Sequence, residues 1–203
     1  MRKKSLLFLA GLASFGVSQL VLRIPLLKLF YDTETYLYAS LVIPMVMAWI
    51  IAFTAGLFEE TGRLVFLQFF KKSRLSLSDA VTFGLGHGLM EAGWLLTAMV
   101  QYIVANGFSQ DMVLGLLERV FALIIQVSLA ILVVMAVNGH RIRWYLLALL
   151  LHTVVDGILP YFTSAVVLEA VLGMESLGIL ALALALWRRM HKEPDAKEVR
   201  TVI

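Results

Sequence analysis

Long apolar runs separated by short polar clusters dominate the chain. The runs cover about residues 5–22, 38–70, 80–104, 113–137, 144–163 and 164–187. Between them stand Tyr31-Asp32-Thr33-Glu34, Lys71-Lys72-Ser73-Arg74, Asn106-Gly107, Asn138-Gly139-His140-Arg141 and a corner near Pro160, compositions that favour turns. An apolar helix needs about 20 residues to cross the hydrocarbon core of a bilayer. The pattern therefore predicts an all-α bundle of about six transmembrane helices. The second run is longer than one crossing requires, and its last turns, Leu64 to Phe70, are expected at the interface.

Composition agrees with that pattern. The chain is 61% hydrophobic and 15% charged, with a mean hydropathy of +0.89, whereas soluble domains carry roughly 45–50% apolar and about 25% charged residues. It contains no cysteine, so disulfides, thiolate metal sites and cysteine nucleophiles are excluded together. Chemistry is left to His, Asp, Glu, Ser and Tyr.

The net charge of +3 does not point to nucleic acid, because the basic residues are distributed by side. With the N-terminus in the cytoplasm, Arg2 to Lys4, Lys71 to Arg74, Arg141, Arg143 and the group from Arg188 to Arg200 lie inside. Only Arg23 and Lys28 lie outside, and Arg63 and Arg119 fall within spans. Such a bias predicts both termini inside, with one transmembrane domain over 1–190 and a short charged cytoplasmic tail over 191–203. Met1 to Gln19 has the basic start and apolar core of a signal peptide, but no A-x-A cleavage site follows, and it reads as a retained span.

Ionisable residues inside spans are costly and normally face the bundle interior. The second span holds Glu59, Glu60 and Arg63, the third His87 and Glu91, and the fifth His152 and Asp156. Each set shares one helix face by i, i+3 or i, i+4 spacing, which makes His87–Glu91 and His152–Asp156 the expected pairs. At about 1.5 Å per residue from the basic boundary, Glu59 lies roughly 17 Å deep, His87 and His152 roughly 13 Å, Glu91 and Asp156 about 20 Å, and Gln126 of the fourth span about 18 Å. A single Glu–Arg or His–carboxylate pair can serve helix register alone. A whole layer at one depth costs too much to serve packing only. Glu118 and Arg119 are assigned to the outer rim, Glu169 to an outer-interface face and Glu175 to a helix contact. Gly84, Gly86 and Gly88 form a small-residue stripe that predicts close helix packing.

A carboxylate beside an imidazole can deprotonate water, and a second imidazole or a guanidinium can stabilise the resulting oxyanion. Hydrolysis is the first candidate. The same groups could hold zinc, with His87, Glu91, His152 and Asp156 as the ligand set, although no H-E-x-x-H is present. Proton- or cation-coupled transport is the third use of such a layer. The outer halves of spans two, three and five are nearly all apolar, which counts against a continuous polar path.

The series Glu59-Glu60-x-x-Arg63, Phe83-x-x-x-His87 and His152-x-x-x-Asp156, in order on three spans, resembles the CAAX-protease and bacteriocin-self-protection superfamily of intramembrane proteases. The string Phe83-Gly-x-Gly-His87-Gly-x-x-Glu91 is similar to its bacterial YhfC branch. The resemblance covers spans two to five. It implies a glutamic-type endopeptidase of the bacterial cytoplasmic membrane without a cofactor, zinc being the alternative. By analogy Glu59 would be the general base working with His87. His152 with Asp156 would stabilise the oxyanion, while Glu60, Arg63, Glu91 and Gln126 would support them. The implied substrate is a membrane-embedded or lipidated peptide, and no nucleic acid is involved; a bacteriocin-immunity-type protein without activity is the remaining alternative. Three departures stand out: the prenyl-protein endopeptidases carry Glu-Glu-x-x-x-Arg and a final Asn, where this chain has a closer Arg63 and Asp156, and Gln126 stands where the branch implies a histidine. The cavity is expected to be reached from the cytoplasmic side.

Overall fold

The computed structural model describes residues 2–107 and 111–192. The expected tail lies outside the described residues from position 193 onward, with Lys197 and Arg200.

The first span is one rod of 30 residues, Arg2–Tyr31, made of α1 (Arg2–Phe15), a π-helical stretch Gly16–Arg23, and α2 (Ile24–Tyr31). Pro25 opens α2; it cannot donate to the carbonyl four residues back, and its ring crowds that carbonyl, so a widened helix just before it relieves the clash. Thr33 caps α3 (Glu34–Val42) by accepting from the Tyr36 amide at 3.2 Å.

Helix α4 spans Pro44–Gln68. The predicted run 38–70 is thus two helices, because Ile43 precedes a proline and is driven out of the helical region, to φ −134° and ψ 55°. A capping box of Ser76 and Asp79 starts α5 (Leu77–Asn106), and Gly107 at φ 83° ends it. Next come α6 (Asp111–Gly139), a reversal at His140 with φ 47°, α7 (Ile142–Ile158), a short 3₁₀ turn over Leu159–Tyr161, and α8 (Ala165–Lys192).

Among the described residues five stretches are long and apolar enough to cross a membrane: Arg2–Tyr31, Leu77–Asn106, Met112–Gly139, Ile142–Tyr161 and Ala165–Met190. The expected sixth, α4, has the length with its 25 residues, but Glu59, Glu60 and Arg63 dilute its apolarity. It enters the bundle with those groups buried. The result is a polytopic, all-helical membrane protein.

Helix α6 is central, with Leu129 through Met135 fully shielded, and it packs on α5, α7 and α8. The glycine stripe of α5 meets two helices. A Cβ on Gly86 would overlap the Phe8 carbonyl of α1, and one on Gly84 would come 2.7 Å from the Val127 Cα of α6. On the other side of the first seam, Gly11 meets the Phe83 carbonyl just as closely. The backbones of α1 and α5 touch because neither carries a side chain there.

The basic ends gather on one face. Lys3 and Lys4 reach Asp79 at 2.9 and 2.5 Å, tying the start of α1 to the start of α5. Asn138 at the end of α6 receives the Leu75 amide at 2.9 Å and donates to the Leu75 carbonyl at 2.8 Å. The α4–α5 loop therefore lies with the α6–α7 turn, and Gly139 in that turn lies beside Met190 of α8.

Candidate functional site

Helix α4 supplies the centre of the site. Glu59, Glu60 and Arg63 are all buried, Arg63 with no accessible surface at all. Its guanidinium reaches Glu60 Oε1 at 3.0 Å and Glu59 Oε2 at 3.4 Å, and donates to Gln126 Oε1 of α6. The same-helix spacing read from the sequence is present, and Gln126 extends it to a second helix.

Both histidines meet this centre from other helices. His87 Nε2 lies 3.0 Å from Glu59 Oε2, while its Nδ1 lies 2.7 Å from Ser14 Oγ. Phe15 stands edge-on to the ring at 5.4 Å. His152 Nδ1 lies 2.8 Å from Glu60 Oε1, and its Nε2 lies 3.9 Å from Glu59 Oε2 and 3.7 Å from Asp156 Oδ2. Helix α7 comes close enough because Gly56 admits Leu149 and Thr153, and Gly157 admits the Trp49 indole. Hydrogen bonds Thr61–Tyr145 at 2.8 Å and Trp49–Tyr161 at 3.2 Å hold the two ends of that seam.

The i, i+4 pairing expected for the third span does not form. His87 spends its nitrogens on Ser14 and Glu59, and Glu91 accepts instead from the Gln126 amide. A helical pair shares a face, yet inward-pointing groups find stronger partners across a helix–helix contact. The His152–Asp156 contact exists at 3.7 Å, behind the shorter one to Glu60. Gln126 is fixed in orientation, with Oε1 on Arg63 and Nε2 on Glu91 and Glu59, the latter at 3.3 Å. The alternative zinc set of His87, Glu91, His152 and Asp156 is therefore not assembled. Among the described residues no group of three His, Asp or Glu side chains is arranged to hold a metal ion.

The first span contributes residues that sequence reading passed over. Gln19, in the π-helical stretch, donates to Glu59 Oε1 at 2.5 Å and accepts from Arg23 Nη1 at 3.1 Å. Arg23 also donates to Thr54 Oγ1 at 3.1 Å and to the Ile51 carbonyl at 2.9 Å. It is not an outer-loop cation, as its position suggested, but part of the bundle. Single-turn π bulges commonly re-aim side chains at functional sites, and this longer stretch aims Gln19. The signal was available: Ser14, Ser18, Gln19 and Arg23 repeat at helical spacing inside an apolar run.

A cavity of about 630 Å³ adjoins the site. Glu59, Glu91, Gln126, His152 and Asp156 line one part of it; Phe15, Ile51, Ala52, Leu95, Ala122 and Leu172 form apolar walls. Farther out it is bounded by Arg23, Trp94, Glu118, Arg119 and Pro160, all on the half of the bundle remote from the basic loops. The lining thus lies on the half away from the basic loops, where access from the basic face was expected. Hydropathy along each span does not tell which half of the helix faces a hollow. Glu118 and Arg119, paired with each other, line this hollow rather than only the rim. Polar groups of the first and fourth spans enter the outer half that spans two, three and five leave apolar. Glu169 and Glu175 are not among its lining residues, and each has a buried carboxylate oxygen without a hydrogen-bond partner among the described residues.

A family model described as YhfC intramembrane metalloprotease matches residues 1–109 and 100–177. YhfC, an uncharacterized membrane protein of Bacillus subtilis (strain 168), is 30% identical over 129 residues, covering 48% of this chain and 50% of that protein. The match thus spans about half the length of that curated relative. No solved structure matches the chain.

Proposed function

The chain belongs to the YhfC intramembrane metalloprotease family, and on that premise we propose that it is a glutamic-type intramembrane endopeptidase of the bacterial cytoplasmic membrane, related in chemistry to the CAAX-protease superfamily. One observation carries the proposal: Glu59 Oε2 stands 3.0 Å from His87 Nε2 and 3.9 Å from His152 Nε2 beside a cavity large enough for water and a peptide segment. Glu59 takes a proton from water, with His87 fixing the acid and sharing the proton. The hydroxide oxygen attacks the carbonyl carbon; the C–N bond breaks and the proton passes to the departing amine. His152 faces the developing oxyanion with Nε2 while Glu60 holds Nδ1. Donation from Nε2 in that arrangement requires the ring to carry both protons, and Glu60 is the counter-charge at hand. Asp156, at 3.7 Å, orients this ring.

The family's description implies a metal, and the donor set here fits one poorly. Glu59 Oε2 already meets Gln126 Nε2 at 3.3 Å and Arg63 Nη2 at 3.4 Å, and Glu59 Oε1 meets Gln19. A cation bound there would lie near the buried guanidinium, and two like charges about 4 Å apart repel by about 4 kcal/mol per unit charge at an effective dielectric of about 20. The proposed chemistry runs on the chain's own acids and imidazoles.

Transport, the third use of such a layer, finds no supporting observation: Leu67, Phe83, Ala130 and Ala148, one turn toward the basic face from the site residues, are fully buried and apolar. The test is cleavage of a membrane-peptide library by the purified protein. Glu59→Gln is expected to abolish it while the protein stays folded by size-exclusion chromatography, and undiminished cleavage would overturn the role of Glu59.

A further inference from the structure

Every helix that brings a polar group to the site seals it on the same side. One turn toward the basic face from Arg63 lies Leu67, from His87 lies Phe83, from Gln126 lies Ala130 and from His152 lies Ala148; all four are within 1% of complete burial or fully buried, as is Leu7 on α1. No row of polar side chains crosses this layer among the described residues that line it. A separate hollow of about 250 Å³ lies beyond it, lined by Gln68, Lys71, His140, Arg141 and Tyr145 among others, and it shares no residue with the site. On the other side the large cavity runs outward past Ala52, Ala122 and Leu172 to Trp94, which is 48% exposed, and to Pro160.

The basic loops and the cavity mouth therefore lie on opposite faces. Lys3, Lys4, Lys71, Lys72, Arg74 and Arg141 mark one face, and the bias of Lys and Arg toward the cytoplasm puts that face inside. From this geometry we infer that the site is entered from the extracytoplasmic side and takes the outer juxtamembrane segment of a membrane-anchored polypeptide, with an apolar side chain seated against Ile51, Leu95, Ala122 and Leu172. The word substrate rests on the proposed peptidase activity; the side of entry does not. A lipid-modified end exposed only to the cytoplasm has no route to Glu59 in this arrangement, since Leu67, Phe83, Ala130 and Ala148 stand in its way. Water reaches Glu59 by the same outer route, so nucleophile and peptide share one mouth.

The cysteine-free chain makes the side of entry directly measurable. Ala122→Cys and Leu95→Cys place single thiols on the cavity wall, and Gln68→Cys places one in the hollow on the basic face. None of the three touches the polar layer's hydrogen bonds. Each variant is treated with a membrane-impermeant sulfonated maleimide in right-side-out and in inverted membrane vesicles, and a permeant maleimide reports total thiol. The expected result is labelling of both cavity thiols from the outside only, with loss of labelling in inverted vesicles, and the reverse for Gln68→Cys. Two probes on different helices guard against one that fails to fold. Labelling of the cavity thiols from the same side as Gln68→Cys overturns the inference, as does failure of the impermeant reagent from either side. Labelling of Gln68→Cys from outside overturns the extracytoplasmic assignment. These readouts need no substrate, so a protein labelled as expected that cleaves no peptide removes the peptidase proposal alone.

Discussion

Replacing Gln19 by Leu tests whether the first span belongs to the site or merely anchors the protein. The side chains are similar in size, so packing is largely kept, but two buried contacts disappear: the 2.5 Å donation to Glu59 Oε1 and the 3.1 Å acceptance from Arg23. A hydrogen bond to a charged group contributes about 1.5–3 kcal/mol, and leaving its buried partner unsatisfied costs a similar amount. With Oε1 released, Glu59 can rotate toward Gln126 and Arg63 and away from His87. If that misplaces the base, a loss of about 1.5–3 kcal/mol in transition-state stabilisation lowers kcat/KM about 10- to 150-fold, at 1.36 kcal/mol per tenfold. The assay is peptide cleavage by purified protein in nanodiscs, with thermal unfolding in parallel. Ser18→Ala is the control, because its hydroxyl only approaches the Phe15 carbonyl on its own helix at 3.4 Å; it is expected to leave both readouts near wild type. Wild-type kcat/KM together with unchanged unfolding in Gln19→Leu would refute the assignment of the first span to the site.

Other expectations concern the frame around the site. Gly86→Leu drives a side chain into the Phe8 carbonyl; overpacking of this kind typically costs about 1–3 kcal/mol, and backbone cannot yield as a side chain does, so loss of the monodisperse peak in size-exclusion chromatography is expected. Phe83→Ala empties a fully buried position in the sealing layer and is expected to cost about 3–5 kcal/mol, read as a fall in the unfolding temperature. Asn138→Ala removes two bonds to the Leu75 backbone and should destabilise by about 1–3 kcal/mol; an unchanged melting curve would show that the α4–α5 loop is held by other contacts. Exhaustive chelation is expected to leave peptide cleavage unchanged, and loss of cleavage restored by zinc would defeat the metal-free chemistry.

The sequence made the all-helical class and most span positions legible, because hydropathy over 20 residues is set by the bilayer and not by partners. It also located the polar layer: depth along a helix is a matter of counting, and Glu59, His87, Gln126 and His152 do meet. Pro44 could have divided the second run, since the residue before a proline resists the helical region, but the high apolarity of both flanks masked the break. Pairing was less legible. Spacing on one helix names possible neighbours, yet the bonds of His87 and His152 to Glu59 and Glu60 are decided by how α5 and α7 dock on α4, through glycines whose partners cannot be read from one strand of sequence.

The side of access shows the same limit in a stronger form. Counting depth from the basic boundary put the layer roughly 13 to 20 Å into the membrane, which is nearly as far from one face as from the other, so depth could not select a mouth. What distinguishes the two sides is packing, complete toward the basic face and open to a cavity on the other. Toward the basic face the helices present Leu67, Phe83 and the run from Leu129 to Met135, all shielded. Away from it they present Ala48, Ala52, Ala55 and Ala122. Ala48, Ala52 and Ala55 line the hollow at successive turns of α4, and Gln19 in the π-helical stretch of the first span reaches Glu59. The polar layer is thus the floor of a pocket lined in part by those alanines and closed at its other end by Leu67, Phe83, Ala130 and Ala148.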